Sequence, residues 1–424
     1  MRRQNLLVLK SLFLGVLFVI IGFAISYLYY HQVYTTAMWQ SLPYPSDVRD
    51  HIVFAKSIAF DPSYYLSRFF EPGFHLLLIS LVKISGISFN NGAIIILTLA
   101  YLIFVFMLLH IITVAMEALQ NKGYKIYFTT TNKSFFGRIK WQISLNENFY
   151  LLLCLLLLLT SFIYVPLVSR NVHSGIGSPN VWHSPTLTMV KPFALYITYQ
   201  VIFQLQKLEI NYKYYLQSFL LFVSCLMKPC FAEVFIPSLF IYVGIIALQK
   251  KQINSIFYVL GLVLPTLILL GSQFFVWHGE QTIIFSAYSV IKSYNQSALL
   301  AFLQALAFPL VVAFTVGKSM SRHLRFAWLL VVVSYLQFAL LAETGSAFIY
   351  ADFRWGFDVA LTLIFLFSIL DFLRWVFTDG SLARRDKRAR IKLVVLIFSL
   401  HLFSGIAFAY NVFTGGYFWA IVNP

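Results

Sequence analysis

The stretch Pro72-Gly73-Phe74-His75-Leu76-Leu77-Leu78-Ile79-Ser80-Leu81-Val82-Lys83-Ile84 is apolar but only 13 residues long. A helix rises about 1.5 Å per residue and the bilayer's hydrocarbon core is about 30 Å thick, so a span needs about 20 apolar residues. This segment falls short, and polar Glu71 and Lys83-Ile84-Ser85-Gly86 bound it. Its reading sets the sidedness of everything that follows. If it crosses, the basic loop 120–148 (Lys122, Lys125, Lys133, Arg138, Lys140) lies outside. If it lies in the interface, that loop faces inside. So then does every other basic loop: Lys207/Lys213, Lys250/Lys251, Lys318/Arg322/Arg325 and Arg384-Arg385-Asp386-Lys387-Arg388-Ala389-Arg390. The positive-inside rule selects the interfacial reading.

Composition agrees with a membrane chain. Of 424 residues, 60% are hydrophobic, 18% aromatic and 11% charged, with a mean hydropathy of +0.80. Soluble domains carry about 25% charge. A water-soluble globular protein, a disordered chain and a secreted disulfide scaffold are excluded. Cys154, Cys225 and Cys230 sit in apolar runs and read as small hydrophobes. Apolar stretches long enough to span start near Leu6, Gly92, Phe149, Pro185, Tyr214, Phe231, Ile253, Ala298, Phe326, Phe357 and Leu393. The first follows Met1-Arg2-Arg3 without a small-residue cleavage site and reads as an uncleaved signal anchor. The predicted fold is all-α integral membrane, with about 11 transmembrane helices, N-terminus in and C-terminus out. We read residues 1–424 as one polytopic domain. It has a long extracytoplasmic loop with interfacial helices at 31–91 and basic cytoplasmic loops at 120–148 and 378–392.

The net charge of +16 follows from this topology. The inner face holds 22 Lys+Arg against 6 Asp+Glu, and the outer face holds 9 against 9. The whole excess is positive-inside bias, which calls for membrane lipids as partners and for no nucleic acid.

The outer segments collect most acids and histidines. The first carries Asp47-Val48-Arg49-Asp50-His51, Asp61 and Arg68-Phe69-Phe70-Glu71-Pro72-Gly73-Phe74-His75. The second carries Arg170 and Trp182-His183-Ser184-Pro185-Thr186, with Lys191-Pro192 just beyond. Lys228-Pro229-Cys230 with Glu233 forms a third, and Glu343 with Asp352-Phe353-Arg354-Trp355 a fourth. Ionisable groups near membrane depth cost about 2.5–3.5 kcal/mol each on insertion scales. Lys191, Lys228 and Glu233 therefore either snorkel to the interface or line a wet cavity. The prolines beside the lysines favour the cavity, because irregular backbone at that depth needs protein or water around it. Plainer readings stand alongside. Asp47 and Asp50 suit the start of a helix over Ile52–Phe60, Arg354 and Asp358 suit an i,i+4 ion pair, and His110 and His401 suit hydrogen-bonded packing. No spacing marks a zinc site, and there is no phosphate-binding loop, GxSxG or dinucleotide glycine pattern.

On these features the chain resembles the GT-C superfamily of polytopic glycosyltransferases. The resemblance rests on the first helix leading to a long outer loop, on acids soon after the membrane exit (Asp47, Asp50), and on the Pro72–Gly86 segment before the next span. Trp182-His183-Ser184-Pro185-Thr186, Lys228-Pro229 and Glu343…Asp352-Phe353-Arg354-Trp355 are similar to segments in bacterial membrane proteins grouped with these enzymes. Asp47-Val48-Arg49-Asp50 is wider than the family's Asp-x-Asp.

The resemblance implies a transferase in cell-surface glycan assembly at the inner (plasma) membrane. It would take a sugar from a polyprenyl-phosphate donor and pass it to a glycan or lipid acceptor. In that scheme Asp47, Asp50 or His51 supplies the base, and Arg170, Lys191, Lys228 and Arg354 are the candidates for the donor phosphate. His75, Trp182, His183, Glu233, Glu343 and Asp352 line the cavity. No protein metal site is called, and a divalent cation stays open as a cofactor. A polysaccharide polymerase or ligase is the alternative, and a transporter or flippase the second.

Overall fold

The computed structural model describes residues 2–34, 47–63, 71–120, 126–129, 140–143, 147–165, 176–181, 184–205, 208–250, 254–277, 282–294, 297–344, 352–378 and 385–413. Arg68, Lys122, Lys125, Lys133, Arg138, Arg170, Trp182, His183, Lys207 and Arg384 lie outside the described residues.

Among the described residues about 86% are helical. Helix α1 (Arg2–Tyr34) leads to α2 (Asp47–Phe60), α3 (Pro72–Ser85) and α4 (Phe89–Gln120). Strands β1 (Ile126–Thr129) and β2 (Lys140–Ile143) precede α5 (Glu147–Leu158), α6 (Pro185–Gln204), α7 (Tyr212–Met227), α8 (Cys230–Lys250) and α9 (Asn254–Trp277). Then come β3 (Ile283–Phe285), α10 (Ser289–Tyr294), α11 (Ala298–Val316), α12 (Arg322–Leu340), β4 (Leu341–Glu343), α13 (Phe353–Thr378) and α14 (Arg385–Phe413).

Among the described residues eight helices are long and apolar enough to cross a membrane: α1, α4, α8, α9 and α11 to α14. This makes the chain a multi-pass, mainly α-helical membrane protein, with apolar helix surfaces suited to lipid. The other three expected stretches also form helices, but α5 has 12 residues, α7 has 16, and the 20-residue α6 carries more polar side chains. Helix α3 is 14 residues long and ends at Gly86, too short to span. Helix α13 lies at the centre: 83% of its most apolar window is buried, against 22% for α14 at the periphery.

Two short antiparallel strand pairs sit within this otherwise all-α architecture, which is as expected from sequence except for the strands themselves. β1 pairs with β2 inside the basic loop. β3 pairs with β4 in the register Ile283↔Glu343, Ile284↔Ala342 and Phe285↔Leu341. The second pair ties the segment after α9 to the segment before α13, and it holds Glu343 in place.

Candidate functional site

Two X-Pro junctions build the site. A residue before proline is pushed out of the helical region, and proline offers no N–H to a preceding turn. Lys228-Pro229 therefore ends α7, with Lys228 extended at φ −164, ψ 126, and α8 restarts at Cys230. Glu71-Pro72 opens α3, with Glu71 at φ −115, ψ 69 and Pro72 in the first turn. The two junctions meet. Lys228 Nζ donates to Glu71 Oε1 at 3.1 Å and to Thr186 Oγ1, at the start of α6, at 3.4 Å. Gly73 permits the approach, since a Cβ there would lie 2.7 Å from Met227 Sδ and 2.9 Å from the Leu226 carbonyl oxygen.

These helix ends surround a cavity of about 210 Å³. Glu71, Lys228, Glu233, Glu343 and Asp352 supply its charge, and Leu270, Ile283 and Phe353 supply apolar wall. Glu233 lies in the first turn of α8, where the helix dipole favours an anion. Asp352 precedes α13 and accepts from Trp355 Nε1 at 3.1 Å. Two cations lie over the Trp355 ring, Lys228 Nζ 5.2 Å and Arg354 Cζ 4.4 Å from its centroid.

The electrostatics follow from burial. Burial alone would lower the pKa of Lys228, but Glu71 and Asp352 outweigh it and hold the ammonium charged beyond the ordinary lysine range. Burial raises Glu71, and Lys228 opposes the rise. Burial also raises Glu343, helped by the neighbouring Asp352, so Glu343 keeps a proton into the range where carboxyls normally ionise. Asp47 stands in the first turn of α2, within the fields of Lys228, Arg354 and Asp352. Desolvation lifts its pKa to about 7 against the pull of Lys228 and Arg354. Asp50, in the same turn, rises to about 6, and its one named counter-charge is Arg49.

His51 shares the α2 face with Asp47, four residues on, as i,i+4 spacing requires. Its Nδ1 lies 2.9 Å from His75 Nε2, and His75 Nδ1 lies 3.1 Å from the Glu71 carbonyl oxygen. A carbonyl only accepts, so His75 Nδ1 carries the proton and its Nε2 accepts from His51 Nδ1–H. Burial keeps both rings neutral, lowering His51 well below the usual value and His75 to about 4. The pair braces α2 against α3 and fixes Asp47 relative to Glu71.

Not every expected cation joins this site. Lys191, 3% exposed, donates to the Pro179 carbonyl at 3.1 Å and lies over the Phe104 ring. Arg354 is not among the residues lining the cavity. It pairs with Asp358 at 3.5 Å while stacking on Trp355. Lys228 is the one lysine or arginine on the cavity wall among the described residues. Glu71, Thr186 and Trp355, read from sequence only as parts of larger segments and given no role, also belong to the site. The one local signal was a charged residue before a proline at each junction. No group of three or more His, Cys, Asp or Glu side chains among the described residues has the geometry to hold a metal ion.

No protein family, curated protein or solved structure matches this chain.

Proposed function

We propose that the chain is a polytopic membrane glycosyltransferase that takes a sugar from a polyprenyl-phosphate donor on the extracytoplasmic face. In this reading α5, continued by the non-helical stretch 159–165, and α6 and α7 also cross, giving eleven spans with the N-terminus in, the C-terminus out and the cavity on the outer side of the plasma membrane. One observation carries the reading. Charged side chains from four stretches of the chain (Glu71, Lys228 with Glu233, Glu343 and Asp352) meet at clustered helix ends, around a partly apolar cavity holding one lysine and several carboxyls.

Lys228 is the cation placed for the donor phosphate, where charge-assisted bonds in a low-dielectric site are strong. Asp47 is the base. Its pKa of about 7 leaves it half ionised near neutrality, where a general base works best. Asp47 takes the proton from the acceptor hydroxyl as that oxygen bonds to the anomeric carbon. The bond from that carbon to the phosphate oxygen breaks, and polyprenyl phosphate leaves as the anion held by Lys228. From a β-linked donor this single displacement inverts the anomeric centre. Asp47 is preferred to Asp50 because its field reaches Lys228, Arg354 and Asp352.

The test is sugar transfer by the purified full-length protein from defined polyprenyl-phosphate sugars, with Asp47→Asn and Asp50→Asn made separately. We expect transfer by the native chain, its loss in Asp47→Asn and its survival in Asp50→Asn. Undiminished transfer in both variants removes the base. No transfer from any donor removes the reading.

A further inference from the structure

Trp355 lies in the first turn of α13 and is buried. It is not among the residues lining the cavity, yet it reaches two that are, Lys228 and Asp352. Its Nε1–H donates to Asp352 Oδ1, and its ring lies under both Lys228 Nζ and Arg354 Cζ. Each cation keeps a carboxylate of its own, Glu71 for Lys228 and Asp358 for Arg354. Two positive groups can therefore share one ring without their repulsion going uncompensated.

The ring contact matters for what it leaves unspent. An ammonium has three N–H groups. Among the described residues Lys228 Nζ has two oxygen acceptors, Glu71 Oε1 and Thr186 Oγ1. A third oxygen would fix the ammonium and exhaust its donors. An aromatic face attracts the charge as a whole, through the ring quadrupole, and claims no N–H for an acceptor oxygen. The ring can hold the ammonium and still leave a donor for an anion that enters the cavity.

We infer that Trp355 is a positioning residue, whose ring holds the Lys228 ammonium at the cavity wall with one N–H kept for the donor phosphate. The ring is itself held twice. Arg354, paired with Asp358, stacks on its face, and Asp352 accepts from its edge. The ion pair outside the cavity thus sets the place of the cation inside it. The inference deepens the glycosyl-transfer reading, which supplies the phosphate. The placing of the ammonium rests on the contacts alone.

The test uses the full-length protein in nanodiscs, with Trp355→Phe and Trp355→Leu. Lys228 is acetylated with an N-hydroxysuccinimide ester at one pH and followed by mass spectrometry, with buried Lys191 as the internal reference. The same samples are assayed for kcat/KM in sugar transfer. The ring favours the charged amine, so its loss raises the neutral, reactive share. We expect Lys228 to acetylate about tenfold faster in Trp355→Leu and within about threefold of the native rate in Trp355→Phe, with Lys191 unchanged in both. Transfer should fall by about tenfold in kcat/KM in Trp355→Leu and return toward the native value in Trp355→Phe. Native acetylation of Lys228 in Trp355→Leu overturns the inference. So does an equal acceleration at Lys191, which marks general loosening, and so does Trp355→Phe behaving like Trp355→Leu. The expected acetylation in a chain that transfers from no polyprenyl donor sinks only the proposed function. Native kcat/KM in Trp355→Leu, in a chain that does transfer, sinks only this inference.

Discussion

Lys191 and Lys228 are each followed by proline, each buried and each close to a carboxylate, yet they sit in regions of opposite character. Around Lys191 the polar groups close on one another. Helix α5 stops at Leu158, and the chain runs without regular structure to Val165. Ser161 N–H donates to the His401 carbonyl at 3.1 Å, and His401 Nδ1–H returns a bond to the Ser161 carbonyl at 2.6 Å. His401 Nε2 accepts from Phe308 N–H at 3.2 Å. Asn180 Nδ2 donates to the Leu157 and Thr160 carbonyls, each at 2.8 Å. Asp358 accepts from Ser178 N–H at 2.6 Å, and Thr362 and Lys191 both donate to the Pro179 carbonyl. A broken helix is a feature transporters share. Here its freed backbone groups are met by protein, as irregular backbone at membrane depth requires. Around Lys228 a cavity of about 210 Å³ stands open, walled by Glu71, Glu233, Glu343 and Asp352. A satisfied polar network fixes a fold, whereas charged side chains around an open cavity leave room for a ligand.

Substitutions in the two regions should therefore move different observables. The largest effect belongs to the open region: Asp47→Asn should slow sugar transfer by about 10²–10⁴-fold with the melting temperature in detergent unchanged. A matching fall in melting temperature would make Asp47 a structural residue and erase the contrast.

Next comes the closed region. Asp358→Asn removes the partner of buried Arg354 and should destabilise the fold by about 3–5 kcal/mol, read as a lowered melting temperature. Gly177→Ala follows at about 1–3 kcal/mol for its backbone, because Gly177 sits at φ +83. A Cβ there would also lie 2.7 Å from the Phe357 ring. An unchanged melting temperature in both variants would show that the closed network does not hold the fold.

The smallest effect is a shift in a pH profile. Transfer should rise with pH about a midpoint near 7 as Asp47 ionises. Lys228 lowers the Asp47 pKa, so in Lys228→Met the residual rate should rise at higher pH than in the native chain. A midpoint that stays put would separate Asp47 from the Lys228 site.

Much of this was legible in the sequence, in a graded way. Helices were legible because apolar runs of span length have few other solutions in a membrane. The short Pro72–Gly86 helix was legible because proline starts a helix and glycine ends one. The i,i+4 geometry of Asp47 with His51 and of Arg354 with Asp358 followed from helical spacing alone. Contacts made across the chain were not legible. Lys191-Pro192 and Lys228-Pro229 read alike, and only the fold sends one lysine to Pro179 and the other to Glu71, 157 residues away. The early end of α5 was hidden in the same way. Leu151–Leu159 continues as Thr160-Ser161-Phe162, and the groups that satisfy the break come from Gln304, His401 and Ser404. The β3–β4 pair that carries Glu343 rests on three-residue strands, too short to leave a periodic signal.

The most direct measurement compares Lys228→Met with Lys191→Met, each assayed for sugar transfer and for melting temperature in the same detergent. We expect the folded fraction of Lys228→Met to have lost transfer, and Lys191→Met to melt lower while whatever remains folded still transfers. The reverse assignment, with Lys191→Met folded but inactive and Lys228→Met active, would contradict the division between a closed scaffold and an open site.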